Sequence, residues 1–402
     1  MEDAIKINPN VLIWCREQAG LTLEAAAQQA DINALKATKN NKEISPVERL
    51  FCIEQGIIPP TFSQLKALAK VYQRPFMTFF LNQPPVVTEK FIDFRTIDSL
   101  PHETDTPEFA RLKRRLINLQ EELSIIEREN LATPLDFVSS IKISDDVEKI
   151  VSYVRKKLNF SFENQKSLKD DEELFRVLRD KIQEIGVFVV LEGDLGSYHS
   201  AISTEEFRGI AITDPFAPLI AINSNDYKQA MTFTLLHELA HIGLGDNSIS
   251  NISISSNAID VNEIFCNKFA AEFLIPRNEI IKTFSNVQYI DENNILSIMS
   301  TFAKQFKVSL MVMARRLYDV GKINNSVYQG VIGRIQASIR QKKRRQKEIS
   351  KSTPSRNKLD QYRLGNKVIT TILNATYNGK MSLVDASVLL NVNSLRLNRI
   401  QP

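Results

Sequence analysis

The chain has 402 residues, of which 43% are hydrophobic and 24% charged, and a formal net charge of +4. That length admits two or three domains of an ordinary globular composition. No apolar run reaches the roughly 18 residues that span a bilayer. Residues 1–6 carry two acids and no apolar core, so they read as no secretory signal. Cys15, Cys52 and Cys266 stand apart without metal-binding or disulfide-framework spacing. Membrane, secreted and disulfide-stapled classes are therefore set aside in favour of a cytoplasmic protein.

Residues 1–86 read as a small helical domain of helix-turn-helix type. Asn8-Pro9-Asn10 opens a helix, Thr22 caps a second over 23–30, and Ser45-Pro46 opens a third that Gly56 ends. Pro60-Thr61 then precedes a fourth over 62–72. Such short, capped helices fit a helix-turn-helix, and equally a helical bundle without DNA. If DNA is bound, Lys36, Lys39, Lys42 and Arg49 are the backbone contacts this domain offers.

Pro84-Pro85 marks a boundary, and 87–133 reads as a connector with a long charged helix over 107–130. Helical patterns follow over 147–158 and 172–185. Three apolar runs, 186–191, 207–212 and 218–223, read as buried strands.

The next stretch carries the chemistry. His237-Glu238-Leu239-Ala240-His241 is H-E-x-x-H, inside an apolar helix expected over 227–244 and broken by Gly243 and Gly245. Residues four apart share a helix face, so both imidazoles reach one metal ion. Glu238, one residue on, faces a water beside that ion and suits a general base. A catalytic zinc site needs three protein ligands and one open position. Glu263, on a second helix capped by Asp260 and ended by Pro276, is the expected third ligand, with Glu272 as its rival on another face. Asn267, one turn beyond Glu263, is a candidate to steady it. Tyr198, His199 and Arg316 are candidates to stabilise an oxyanion, in no order. A small sheet feeding such a helix is the layout of a zincin-like core, placed at 134–325.

From 331 to 363 there are eleven basic residues against two acidic ones. That segment is +9, and the rest of the chain is −5. Lys342, Lys343, Arg344 and Arg345 are its peak. The run fits a nucleic-acid contact and a solvated linker equally, and 326–364 is taken as a basic linker. Residues 365–402, with Ser382 capping a helix over 383–390, outline a second small helix-turn-helix.

These residues resemble the ImmA/IrrE family of metallopeptidases. The likeness lies in Phe207-Arg208-Gly209, Ala217-Pro218 with Ile222-Asn223, Phe233-Thr234-Leu235 leading into the motif, and Glu263 followed by Phe269-Ala270-Ala271 and Pro276. It covers roughly 170–325. The N-terminal segments Ala19-Gly20-Leu21-Thr22, Pro60-Thr61 and Arg74-Pro75-Phe76 are similar to a phage-repressor (XRE) helix-turn-helix, although 30–45 is longer than that pattern and Ile53 stands where an aromatic is expected. The resemblance implies a metal held by the two His and Glu263, and cleavage of a transcriptional repressor in a stress, mobile-element, phage-defence or toxin–antitoxin setting.

The expected protein is thus multidomain, mainly α with a small β-sheet. Its cofactor is Zn²⁺, with Mn²⁺ as the alternative. Its partners are a protein substrate and DNA but no membrane, with a dimer as one possible assembly. The competing reading is a DNA-binding regulator or antitoxin whose peptidase-like domain senses a partner without cutting it.

Overall fold

A computed structural model describes residues 7–36, 43–72, 74–84, 106–194, 201–250, 261–285, 294–346 and 356–397. The chain is mainly helical. In order, its helices are α1 (Pro9–Gln18), α2 (Leu23–Gln29), α3 (Pro46–Glu54), α4 (Phe62–Tyr72), α5 (Pro107–Glu129), α6 (Val147–Lys157), α7 (Phe162–Ser167), α8 (Asp171–Glu184), α9 (Lys228–Leu244), α10 (Val261–Leu274), α11 (Arg277–Phe284), α12 (Ile295–Phe306), α13 (Leu310–Asp319), α14 (Asn325–Gln346), α15 (Arg356–Leu364), α16 (Asn366–Tyr377), α17 (Leu383–Leu389) and α18 (Ser394–Leu397). The strands are β1 (Leu35–Lys36), β2 (Glu43–Ile44), β3 (Phe188–Glu192), β4 (Gly209–Ile212), β5 (Leu219–Asn223) and β6 (Ser248–Ser250). No single described helix is long and apolar enough to cross a membrane.

The chain divides into two compact units. One comprises residues 1–126, 195–200 and 368–402. Its N-terminal helices start where the caps predict. Asn8 and Thr22 accept from backbone N–H groups of α1 and α2, and Ser45 forms a reciprocal capping box with Glu48. Between α2 and α3 the short strands β1 and β2 pair antiparallel, a hairpin that nothing in the basic 33–45 stretch announced. Val11, Leu12, Leu50, Ile53, Leu65 and Phe79 are fully buried in the core. Buried Glu54 accepts from Arg16 Nε at 2.9 Å, so the charge is paired rather than stranded.

The C-terminal helices complete this unit. Val388 of α17 joins the core of the N-terminal bundle. Asp385 accepts from the backbone N–H of Phe76, at the start of the 3₁₀ turn Phe76–Phe80. Residues 368–402 and the N-terminal bundle thus share apolar packing, whereas the linear reading treats the tail as a separate piece.

The other unit comprises residues 127–194 and 201–367. Its sheet has the order β3-β5-β4-β6. β3 runs parallel to β5, and β4 runs antiparallel to both β5 and β6. Every residue of β3, β4 and β5 is buried, which fits a sheet covered on both faces. β6 had no counterpart among the strands expected from the sequence. α9 is buried nearly all round, as a helix apolar on every face must be. Phe265, Phe269 and Phe273 of α10 pack in the same core.

Residues 326–364, expected as a basic linker, are instead largely folded into this unit. Val331 and Ile335 of α14 are buried in its core, with Val327 and Ile332 packed against it. α15 is held by Arg179, which donates to the carbonyls of Tyr362 and Arg363, and by an Arg363–Glu192 ion pair at 3.1 Å. The apolar stripe of α14 sits in a charge-rich segment, so composition conceals it. Lys342, Lys343, Arg344 and Arg345 lie on the last turns of α14.

Candidate metal centre

The motif helix is positioned from both ends. At its start, Asn223 closes β5 with its side-chain amide donating to Phe207 O at 3.0 Å, so the turn into α9 is tied to the entry of β4. At its end Gly245 takes a left-handed conformation, φ +77°, which favours glycine. Gly243 lies within the helix rather than breaking it. A side chain on Gly245 would also strike Ser139 Oγ. The chain after Gly245 is then pinned to the end of β4. Thr213 N donates to Asn247 Oδ1 at 2.6 Å, and Thr213 Oγ1 donates to Asp246 O at 2.8 Å.

His237, Glu238 and His241 are all buried, at 4%, 0% and 1% exposure. Glu263, in the first turn of α10, reaches them. Its Oε2 lies 3.2 Å from His237 Nε2, and its Oε1 lies 3.2 Å from His241 Nε2. The two Nε2 atoms are 3.1 Å apart. Tetrahedral ligands about 2.05 Å from a zinc ion stand about 3.3 Å from one another. His237, His241 and Glu263 can each offer one donor atom, all within 4.8 Å of one another, so the group could hold a metal ion. Two imidazole nitrogens facing each other beside a carboxylate need a shared proton or a cation between them, because bare lone pairs repel.

The electrostatics agree. Burial opposes charge on His241, but its hydrogen bonds to Asp246, Cys266 and Glu263 outweigh that and push its pKa up to about 12. Burial would raise Glu263, yet hydrogen bonds to both imidazoles hold it well below the usual carboxylate range. The pocket favours positive charge at its centre.

Other residues aim the ligands. Asp246 Oδ2 lies 3.4 Å from His241 Nδ1 and accepts from Asn262 Nδ2 at 2.9 Å. The Asp246 carboxylate thus lies behind the imidazole, on the side away from Nε2. Glu238 accepts from Ser248 Oγ at 2.7 Å through Oε2. Its Oε1 is buried with no hydrogen-bond partner among the described residues. Gly209 leaves the space for it, since a Cβ there would lie 2.4 Å from Oε1.

The fold brings together the three candidate donors that the sequence named, with Glu238 beside them. Asn267 is exposed on α10, whereas Asp246, with Asn262 donating to it, lies next to His241. Arg316 is no oxyanion donor here. It is buried, paired with Glu272, and donates to Ile275 O at 3.0 Å. Glu272 lies nine residues beyond Glu263, about 13 Å along the helix, and its carboxylate is spent on Arg316 and on Arg277 N. Tyr198, His199, Lys39, Lys42 and the cap Asp260 lie outside the described residues. Lys36 is on β1, and Arg49 donates to Asn33 O at 2.9 Å. The residues missed are Asp246, Ser248, Asn262 and Gly209. The available signals were an acid directly after the helix-ending glycine and, for Gly209, its place in the Phe207-Arg208-Gly209 stretch of the family likeness.

Residues 185–318, a third of the chain, match the family model Peptidase_M78, described as the IrrE N-terminal-like domain. This chain therefore carries a metallopeptidase-like domain of ImmA/IrrE type. No curated protein and no solved structure matches.

Proposed function

We propose that this chain is a zinc-dependent endopeptidase acting on a protein substrate, a transcriptional repressor or regulator, in stress, mobile-element or phage-defence control. One observation carries the reading: two imidazole nitrogens 3.1 Å apart, each 3.2 Å from one oxygen of Glu263, beside a buried carboxylate with one oxygen unpartnered among the described residues. His237, His241 and Glu263 would hold the ion. Bound there, Zn²⁺ supplies a Lewis acid that polarises a scissile carbonyl and acidifies water. The Asp246 carboxylate, 3.4 Å from His241 Nδ1, would favour positive charge on that imidazole and at the centre. Glu238 takes a proton from the attacking water and returns it to the leaving amide nitrogen. Its burial keeps that transfer away from bulk solvent.

Metal content of the purified protein tests the reading. About one zinc per chain is expected in the wild type, with loss in His237→Ala and Glu263→Ala. No metal in the wild type, even after Zn²⁺ is supplied, would overturn it.

The second reading is a DNA-binding regulator that senses a partner without cleaving it. The observation favouring it is one unit that joins the N-terminal bundle to the C-terminal helices, both of which the sequence reads as helix-turn-helix outlines. It requires DNA binding that weakens steeply with salt. A mobility shift that is absent at low salt would sink it.

A further inference from the structure

The segment just past α9 does more than leave the helix. Gly245 turns the chain, Thr213 clamps residues 246 and 247, and Ser248 enters β6 opposite Ala211 of β4. Ser248 is thereby fixed by strand pairing on one side and by the helix end on the other. Its hydroxyl meets one oxygen of Glu238 at 2.7 Å and leaves the other without a partner among the described residues. Gly209 keeps β4 clear of the unpartnered oxygen, since a Cβ there would lie 2.4 Å from it.

A carboxylate with two equivalent, free oxygens can rotate and present either one. Here the two are made unequal. We propose that Ser248 is a positioning residue for the reaction, which holds Oε2 of Glu238 so that Oε1 alone is aimed as the proton acceptor. This rests on the metallopeptidase reading above. The bond is to a charged group in a buried site, where such bonds are strongest. A buried carboxylate needs a donor for stability too, so the test must separate aiming from packing.

Acetohydroxamate is a suitable probe, because it chelates a protein-bound ion and its hydroxyl proton needs a carboxylate acceptor alongside. The full-length protein is loaded with Co²⁺, and acetohydroxamate is titrated by the visible cobalt absorption. Wild type, Ser248→Ala, Ser248→Thr and Glu238→Gln are each expected to hold one Co²⁺. Binding should weaken about tenfold in Ser248→Ala, the value of one hydrogen bond to a charged group. It should weaken at least as much in Glu238→Gln and return toward wild type in Ser248→Thr, which restores the hydroxyl. Equal affinity in wild type and Ser248→Ala, with only a lowered melting temperature, would make Ser248 a packing residue and overturn the proposal. Failure of the wild type to take up Co²⁺ would instead remove the metallopeptidase reading itself, which the metal content reports separately.

Discussion

At the residue scale, the centre is built by charge. Asp246, Glu263 and Glu238 converge on two imidazoles in a buried pocket, and His241 holds a proton with a pKa pushed up to about 12. Its ordinary value is about 6.5. In metal-free protein, a raised folded-state pKa gives stability that is full below about pH 6.5 and is lost as pH rises toward 12. A metal ion must displace that proton, so the sign for metal binding is the reverse. Zinc affinity should rise about tenfold per pH unit, or about 100-fold from pH 6 to 8, with one proton released per ion. Calorimetry in buffers of different ionisation enthalpy measures that release, and a pH-independent affinity would contradict it. Glu238→Gln should keep the metal and lower cleavage about 10²–10⁴-fold, the usual share of general acid–base catalysis. Cleavage at the wild-type rate would remove Glu238 from its role. Gly209→Ala should do comparable damage from outside the motif, because its new Cβ would overlap the working oxygen. A crystal structure of that variant would show Glu238 displaced.

At the element scale, α9 is decided by its ends. The H-E-x-x-H spacing sets which atoms can meet, but Asn223, Gly245 and Thr213 set where the helix stands. α14 shows the converse. Its charge suggested a linker, yet Val331 and Ile335 are 3% and 6% exposed. Ile335→Ala should cost about 2–4 kcal/mol by the usual rule for a buried large aliphatic. Denaturant unfolding measures this, and a cost below about 0.5 kcal/mol would mean that α14 is not integral to the core. Removing the charges of Lys342, Lys343, Arg344 and Arg345 tests a separate property, DNA affinity, and should flatten its salt dependence if α14 meets phosphate.

At the scale of the whole molecule, the chain ends share one unit. Val388 and Asp385 from the C-terminal helices pack against and cap residues of the N-terminal bundle. Deleting 368–402 should therefore destabilise the N-terminal bundle. Limited proteolysis within 1–86 should speed up in the truncated protein, and unchanged protection would contradict the shared core. A DNA-binding surface, if present, would then draw on helices from both ends of the chain.

The sequence by itself determined which residues could hold a metal, and the local starts. H-E-x-x-H fixes two donors on one face through helical periodicity alone, and side-chain caps fix where α1, α2 and α3 begin, because both are set by neighbours within a few residues. The choice of Glu263 over Glu272 was already legible from helix faces and family likeness. Tertiary structure decided what spacing cannot encode. Glu272 is consumed by Arg316, 44 positions away, and Asp246 and Ser248 reach His241 and Glu238 because the chain folds back along β4. Gly209 matters because a strand passes within reach of a carboxylate 29 positions later. Hydrogen bonds and close packing are satisfied in space between partners far apart in the chain, so local patterns name the candidates, and only the folded chain pairs them.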